Sequence, residues 1–317
     1  MASLPDMPID TSNAMPPAPP SPVKAFAPTE APAFAQPAAI PYAPLPPRTP
    51  TCLPPKGIKT IILPKPPNSK SFFCTANSTL YKSTDRPGLV CKVAIPEEGP
   101  LESMAIERRI YERLIPLELP NLVRVERMDE NGIWMRYARY GCLRLFDKDG
   151  NGAAVVGRAR RIQWCEDVAR VVAALHEQGI RHGDLSGRNL LVAGEDDTDE
   201  STMEIQLCDF GGSAIDDQKA KIFAESGYRH PSKSEYNFPT IRCEIHTLGS
   251  TFYEILMAHQ VYDRLPDWEI NKLIEAGTYP DLTSVPMKEI VQKCWTGEFK
   301  TATEVADAVA TFRRENA

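Results

Sequence analysis

The sequence predicts an α+β chain of two lobes, an antiparallel β-sheet carrying one helix followed by a mainly helical lobe. Three observations predict it. Period-two, strand-like segments recur between residues 70 and 139, a single helical stretch interrupts them, and from Gly141 onward apolar residues return every three or four positions. No segment repeats at a fixed period, which sets stacked-repeat architectures aside.

Residues 1 to 56 form a Pro/Ala-rich arm: of the 30 prolines in the 317-residue chain, 20 fall in the first 70 residues. Proline lacks the amide donor that helices and sheets need, so this arm is expected to be disordered or partly polyproline II. Ser21-Pro22 and Thr49-Pro50 are candidate proline-directed phosphosites, and Pro44-Leu45-Pro46-Pro47-Arg48 is a candidate adaptor-docking segment, although a plain linker is the commoner use of such composition. Folding is expected over residues 57 to 317, the first lobe ending near 138 and the second beginning near 139.

In the first lobe, Ser71-Phe72-Phe73-Cys74, Ser78-Thr79-Leu80-Tyr81-Lys82 and Leu89-Val90-Cys91-Lys92-Val93-Ala94 read as three consecutive antiparallel strands, with a turn at Thr84 to Gly88. Leu101, Met104, Ala105, Ile106, Ile110 and Leu114 have helical spacing, and Leu122 to Arg139 reads as two strands joined at Asn131-Gly132. In the second lobe one stripe runs Ile162, Cys165, Val168, Val172, Leu175, another Leu248, Phe252, Ile255, and a third Val305, Val309, Phe312.

The net charge is −6, and the first 70 residues are net positive, leaving −9 on residues 71 to 317. That balance argues against nucleic acid as a ligand. Eight scattered cysteines with no C-x-x-C pair suggest reduced thiols, as in a cytoplasmic or nuclear chain. Neither a cationic leader with an apolar core nor 18 uninterrupted apolar residues occurs, so neither secretion nor a membrane partner is expected.

Chemistry concentrates in Ile180-Arg181-His182-Gly183-Asp184-Leu185-Ser186-Gly187-Arg188-Asn189-Leu190-Leu191-Val192, and in Asp209-Phe210-Gly211, twenty residues beyond Asn189. The first resembles the eukaryotic protein-kinase catalytic loop H-R-D-L-x-x-x-N, and the second resembles that family's metal motif. Lys92 and Glu107 stand where the family keeps its strand lysine and helix glutamate, and Gly227-Tyr228-Arg229-His230-Pro231, Glu244 to Gly249 and Lys293-Cys294-Trp295 are similar to later kinase segments. The resemblance covers residues 70 to 315 and is nearest to compact, divergent, tyrosine-kinase-like domains of the type common in fungi.

It implies a bilobal kinase fold, with ATP, Mg²⁺ and a protein substrate as partners. Asp184 would orient the acceptor hydroxyl, assisted by Arg188, which occupies the place it has in the tyrosine-kinase loop H-R-D-L-A-A-R-N. Asn189 and Asp209 would hold the metal, while Lys92, steadied by Glu107, would neutralise phosphate oxygens. Leu80, Val90 and Leu191 would close on the faces of adenine, Met135 would be the gatekeeper, and backbone groups of Arg136 and Ala138 would meet the adenine edge. Cys142, at the start of the next helix, is the thiol expected to react with an electrophile seated there.

Departures are equally specific. The phosphate-covering G-x-G-x-x-G should fall at Phe73, Thr75 and Ser78, none of them glycine, which is expected to weaken ATP binding unless Asn77 and Ser78 side chains substitute. Gly183 replaces the arginine that grips a phosphorylated activation loop, so phosphomimetic changes at Ser213 or Ser226 are expected to be neutral. Ser232 and Lys300 replace both halves of a structural ion pair, and Glu244 replaces the aspartate that caps the catalytic-loop backbone. Residues 194 to 201 form an acidic insertion, read as a solvated loop or as a docking tongue for basic partners. Glu225, three residues before Tyr228, stands where serine/threonine kinases usually carry threonine, which leaves the acceptor open between Ser/Thr and Tyr. Three functions remain compatible: a protein kinase, a kinase-fold scaffold with little turnover, and a phosphotransferase for small molecules, whose H-G-D loop His182-Gly183-Asp184 also resembles.

Overall fold

The computed structural model describes residues 61–194, 199–232 and 239–316. The proline-rich arm, with its candidate phosphosites and docking segment, and residues 195–198 of the acidic insertion lie outside the described residues.

Strands β1 (Ser69–Cys74), β2 (Ser78–Ser83) and β3 (Leu89–Ala94) run antiparallel, followed by helix α1 (Glu98–Leu114) and strands β4 (Val125–Asp129) and β5 (Gly132–Arg136). The sheet order is β1-β2-β3-β5-β4, so β3 is central, flanked by β2 and β5. Alternation along β3 sorts its side chains by face. Val90 and Ala94 pack in the main core with Met104, Ile106 and Ile110 of α1, while Cys91 and Val93 join Tyr81 and Trp134 in a small cluster on the outer face. The Arg127 guanidinium, 4.2 Å from the Trp134 ring centroid, covers that cluster. Lys92 therefore shares the inner face with Val90 and Ala94. Pairing of Lys92 with Ile133 and Val90 with Met135 fixes the register, and Gly132 makes this approach possible, because a Cβ there would collide with the Lys92 carbonyl oxygen.

The second lobe comprises α2 (Leu143–Phe146), α3 (Asn151–Val155), α4 (Arg158–Glu177), β6 (Ile180–Arg181), β7 (Leu190–Ala193), β8 (Glu204–Leu207), β9 (Ala214–Ile215), α5 (Ile241–Met257), α6 (Asp267–Glu275), α7 (Lys288–Thr296) and α8 (Ala302–Glu315). Two ribbons, β6 with β9 and β7 with β8, lie between α4 and α5 in the chain and carry the polar loops. The expected α4 stripe is wholly buried, as are Val305 and Val309 of α8. Helix α5 differs from expectation: every residue from Cys243 to Ile255 is buried, not one stripe alone. A helix buried on all faces must satisfy its polar side chains internally. Gly249 admits Cys294 and Trp295 of α7, and the Trp295 indole donates to Ser250 Oγ at 3.0 Å. No described cysteine forms a disulfide, and no helix among the described residues is long and apolar enough to cross a membrane.

Candidate active site

Met104, Glu107, Tyr111 and Leu114 lie on one buried face of α1, so a carboxylate is carried into the core among apolar neighbours. It meets the β3 lysine: Lys92 Nζ donates to Glu107 Oε2 at 2.7 Å and to Asp209 Oδ1 at 2.7 Å. Burial alone would lower the Lys92 pKa, but the Asp209 and Glu107 charges raise it, so the ammonium is retained. Burial raises Glu107 against the opposing pull of Lys92, and the Lys92 charge holds Asp209 below the usual carboxylate range. The Asp209 side chain is half exposed.

Asp209 takes a left-handed backbone, φ 67°, which aspartate tolerates better than most residues. That turn sends its carboxylate to Lys92 and drives Phe210 into the core, where its ring lies 5.3 Å from Tyr111 and 5.1 Å from His182. His182 Nε2 bonds the Cys208 carbonyl at 3.0 Å and Nδ1 accepts the Asp184 amide at 3.2 Å, an arrangement the Nε2–H tautomer satisfies.

The loop joining β6 to β7 brings Asp184 and Asn189 together. Asn189 Nδ2 donates to the Asp184 carbonyl at 2.7 Å and to Asp184 Oδ2 at 3.0 Å, while Arg188 Nη2 lies 3.3 Å from Asp184 Oδ1. Burial raises the Asp184 pKa, and the Arg188 charge opposes the rise. Gly183, at φ 80°, donates its amide to Glu244 Oε1 at 2.7 Å, and Glu244 Oε2 bonds His176 Nε2 at 2.8 Å. Glu244 thus caps the loop backbone as its position suggested. Burial alone would raise its pKa; the His176 contact and the Gly183 amide lower it.

The β1–β2 hairpin differs from one expected detail. Thr75 Oγ1 accepts the Asn77 and Ser78 amides at 3.2 and 3.0 Å and donates to the Ser78 carbonyl at 3.1 Å. Ser78 is buried with its hydroxyl 3.3 Å from Thr75 Oγ1, so of the two proposed glycine substitutes only Asn77 stays exposed. Around the expected adenine position Val90, Met135 and Ala138 are buried and Leu80 and Leu191 half-buried. The Arg136 amide is taken by the Arg124 carbonyl at 2.9 Å, and the Ala138 carbonyl by the Gly141 amide at 3.2 Å. Cys142 caps α2 and is partly exposed.

A second polar network was missed by sequence reasoning. Buried Glu254 accepts the Gly187 amide at 2.7 Å, Tyr228 Oη at 2.5 Å and Arg144 Nε at 2.8 Å. Arg144 also holds Glu225 with two hydrogen bonds, at 3.0 and 2.6 Å, and Glu225 Oε2 lies 3.5 Å from Arg188 Nε. Charges therefore alternate from Glu254 through Arg144, Glu225 and Arg188 to Asp184. The available signal was one glutamate inside the otherwise uncharged run Leu248 to Met257. Ser213 also corrects an expectation: it is fully buried and donates to the His182 carbonyl at 2.8 Å, so an acidic residue there would bury a charge and disrupt the loop, and the expected neutrality applies to Ser226 alone. Lys300 is exposed and donates to the Gly297 carbonyl at 2.9 Å, so the altered ion pair leaves no buried charge at that end.

Among the described residues no three His, Cys, Asp or Glu side chains cluster as a metal cage. Asp209 and the Asn189 side-chain oxygen nevertheless suit a hard cation that keeps water and phosphate oxygens as its other ligands, as Mg²⁺ does.

The family model described as protein kinase domain matches residues 94–307, beginning just after Lys92 and so omitting the strands where the glycine pattern is missing. The chain is similar to human receptor tyrosine-protein kinase erbB-4, with 24% identity over 188 residues, covering 55% of this chain and 14% of that protein. It is likewise 25% identical over 185 residues to mouse receptor tyrosine-protein kinase erbB-2, with the same two shares. The epidermal growth factor receptor of Apis mellifera is 25% identical over 150 residues, 44% of this chain and 11% of that protein. The chain thus spans about one-seventh of the length of these relatives, or less.

Proposed function

The chain belongs to the protein kinase family, and from that premise we propose that it transfers the γ-phosphate of ATP to a protein Ser, Thr or Tyr hydroxyl. The observation that carries this reading is the Lys92 ammonium, 2.7 Å from both Glu107 and Asp209. A cation pinned between two acids is pre-organised for phosphate oxygens, and phosphoryl transfer asks a protein chiefly for such positioning and charge. Asp184, fixed by Asn189 and Arg188, orients the acceptor hydroxyl and takes its proton. Asp209 and Asn189 would hold Mg²⁺, which when bound neutralises charge on the phosphate oxygens. With the Arg136 amide and Ala138 carbonyl engaged, the adenine edge meets the Arg136 carbonyl and the Ala138 amide, between Leu80, Val90 and Leu191, with Met135 behind.

Asp184 must be ionised to act, and burial raises its pKa above the ordinary 3.8, so the acid limb of kcat/KM is expected above that value. The Arg188 charge lowers this pKa, and Arg188→Ala removes that help. The pH profile of the Arg188→Ala variant is therefore expected to show its acid limb at higher pH than wild type; a downward move would refute the assignment.

One observation favours a second reading, a partner-binding scaffold: Thr75 engages the hairpin amides that would otherwise meet phosphate. Calorimetric titration with Mg-ATP separates the two. The kinase reading expects binding with Kd below about 1 mM, weakened at least tenfold, about 1.4 kcal/mol, in Lys92→Met. No heat at millimolar Mg-ATP would support the scaffold.

A further inference from the structure

Glu107 reaches Lys92 only while α1 lies against β3, and something must hold the helix there. Arg109 and Arg113, one turn apart on α1, both reach Asp216, the residue after β9. Arg113 Nη1 donates to Asp216 Oδ1 at 2.7 Å and Nη2 to Oδ2 at 2.9 Å, while Arg109 Nη2 donates to Oδ2 at 2.8 Å. Asp216 is itself held. Its amide donates to the Gly179 carbonyl at 3.0 Å and its carbonyl accepts from Arg181 at 3.4 Å, at a left-handed backbone, φ 53°, that aspartate adopts more readily than most residues. Arg113 also donates to the Gln178 carbonyl at 2.9 Å, adding a second tie from α1 to the segment before β6.

We propose that Asp216 is a built-in positioning residue: a fixed carboxylate that ties α1 to β9 and holds Glu107 at Lys92 with no charge added to the activation segment. The inference rests on the kinase reading for its functional meaning, but the clasp is a structural claim of its own. Single exposed ion pairs contribute little, because water screens them and long side chains lose freedom. This one differs in geometry. A two-pronged arginine contact is directional, a second arginine shares the same carboxylate, and the acceptor's backbone is anchored at both its amide and its carbonyl. A rigid helix fixed on one face presents its other face in a fixed place. Gly183 supplies no cation for an added phosphate, and the α1 arginines already have their anion.

The test uses the full chain as wild type, Asp216→Asn, Asp216→Glu and Arg109→Ala. Two readouts are taken: hydrogen exchange of α1 amides, with α5 as the folding control, and kcat and KM for ATP in label transfer. In Asp216→Asn, α1 exchange is expected to rise about tenfold with α5 unchanged, and kcat to fall roughly 5- to 20-fold with a smaller change in KM. Asp216→Glu is expected to restore both readouts to within about threefold, and Arg109→Ala to give a partial loss. Phosphatase treatment of wild type is expected to leave kcat unchanged. Wild-type α1 exchange in Asp216→Asn would overturn the proposal, as would loss of kcat on phosphatase treatment. If wild type transfers no label, a rise in α1 exchange in Asp216→Asn still upholds the clasp and places the failure on the kinase reading; no rise overturns the clasp. If Asp216→Asn loses α5 protection as well, Arg109→Ala decides on the same criteria.

Discussion

Asp184→Ala is expected to lower kcat for phosphoryl transfer by about 10³-fold while leaving Mg-ATP affinity within about threefold of wild type. Asp184 is buried and is bonded to Asn189, with Arg188 beside it. It contributes nothing to the Lys92 cluster, so nucleotide affinity should survive its loss. What disappears is the group that aligns the hydroxyl and receives its proton, and such groups typically contribute 10² to 10⁴ in rate. Asn189 loses one partner but keeps the Asp184 backbone carbonyl, so the loop retains an anchor. Single-turnover transfer measured alongside calorimetry checks both halves. A variant with wild-type kcat would remove Asp184 from the chemistry; one that loses ATP affinity in parallel would make its role structural.

The largest stability effect is expected at Glu254. Truncation to alanine leaves the buried Gly187 amide and Tyr228 hydroxyl without their carboxylate acceptor and removes one of the two carboxylates that hold Arg144. Breaking a buried charge pair from one side costs about 3–5 kcal/mol, because the remaining charge has neither water nor partner. Glu225 still holds Arg144, which places the loss near the lower end. For a folded part of this size, about 3 kcal/mol corresponds to a fall in Tm of roughly 6–12 °C. Glu254→Gln, isosteric and still able to accept the Gly187 amide, is expected to lose less than half as much. Thermal unfolding followed by circular dichroism measures both, and a change under about 1 kcal/mol in Glu254→Ala would contradict the network. Because Gly187 lies in the loop between Asp184 and Asn189, transfer should slow as well.

The strands, α1 and the α4 and α8 stripes were legible because burial of one face writes a local period into the chain. Lys92, Glu107, Asp184, Asn189 and Asp209 were legible through resemblance to known loops; the structure joins Lys92 to Glu107 and Asp209, and Asp184 to Asn189, as two separate groups of contacts. Other features left no local trace. Asp216 lies 107 residues from Arg109 and Glu254 lies 110 from Arg144, and no spacing rule pairs charges across such distances. Thr75 looks like any turn residue until its hydroxyl is seen closing the hairpin. Ser213 read as an available hydroxyl because a buried, hydrogen-bonded serine has the same local sequence context as an exposed one. Helix α5 showed one stripe because its buried polar residues, Glu244, His246 and Glu254, mask the apolar ones between them.

The most direct test of the whole account is transfer of label from γ-labelled ATP by the wild-type chain, with Mg²⁺ and with chelator, onto itself and onto a mixed protein substrate, followed by phospho-amino-acid analysis. Mg²⁺-dependent label on serine, threonine or tyrosine is expected, reduced by about 10³-fold in Asp184→Ala and strongly reduced in Asp209→Asn. No label on protein at millimolar Mg-ATP, from a chain whose α5 remains protected from exchange, would contradict it.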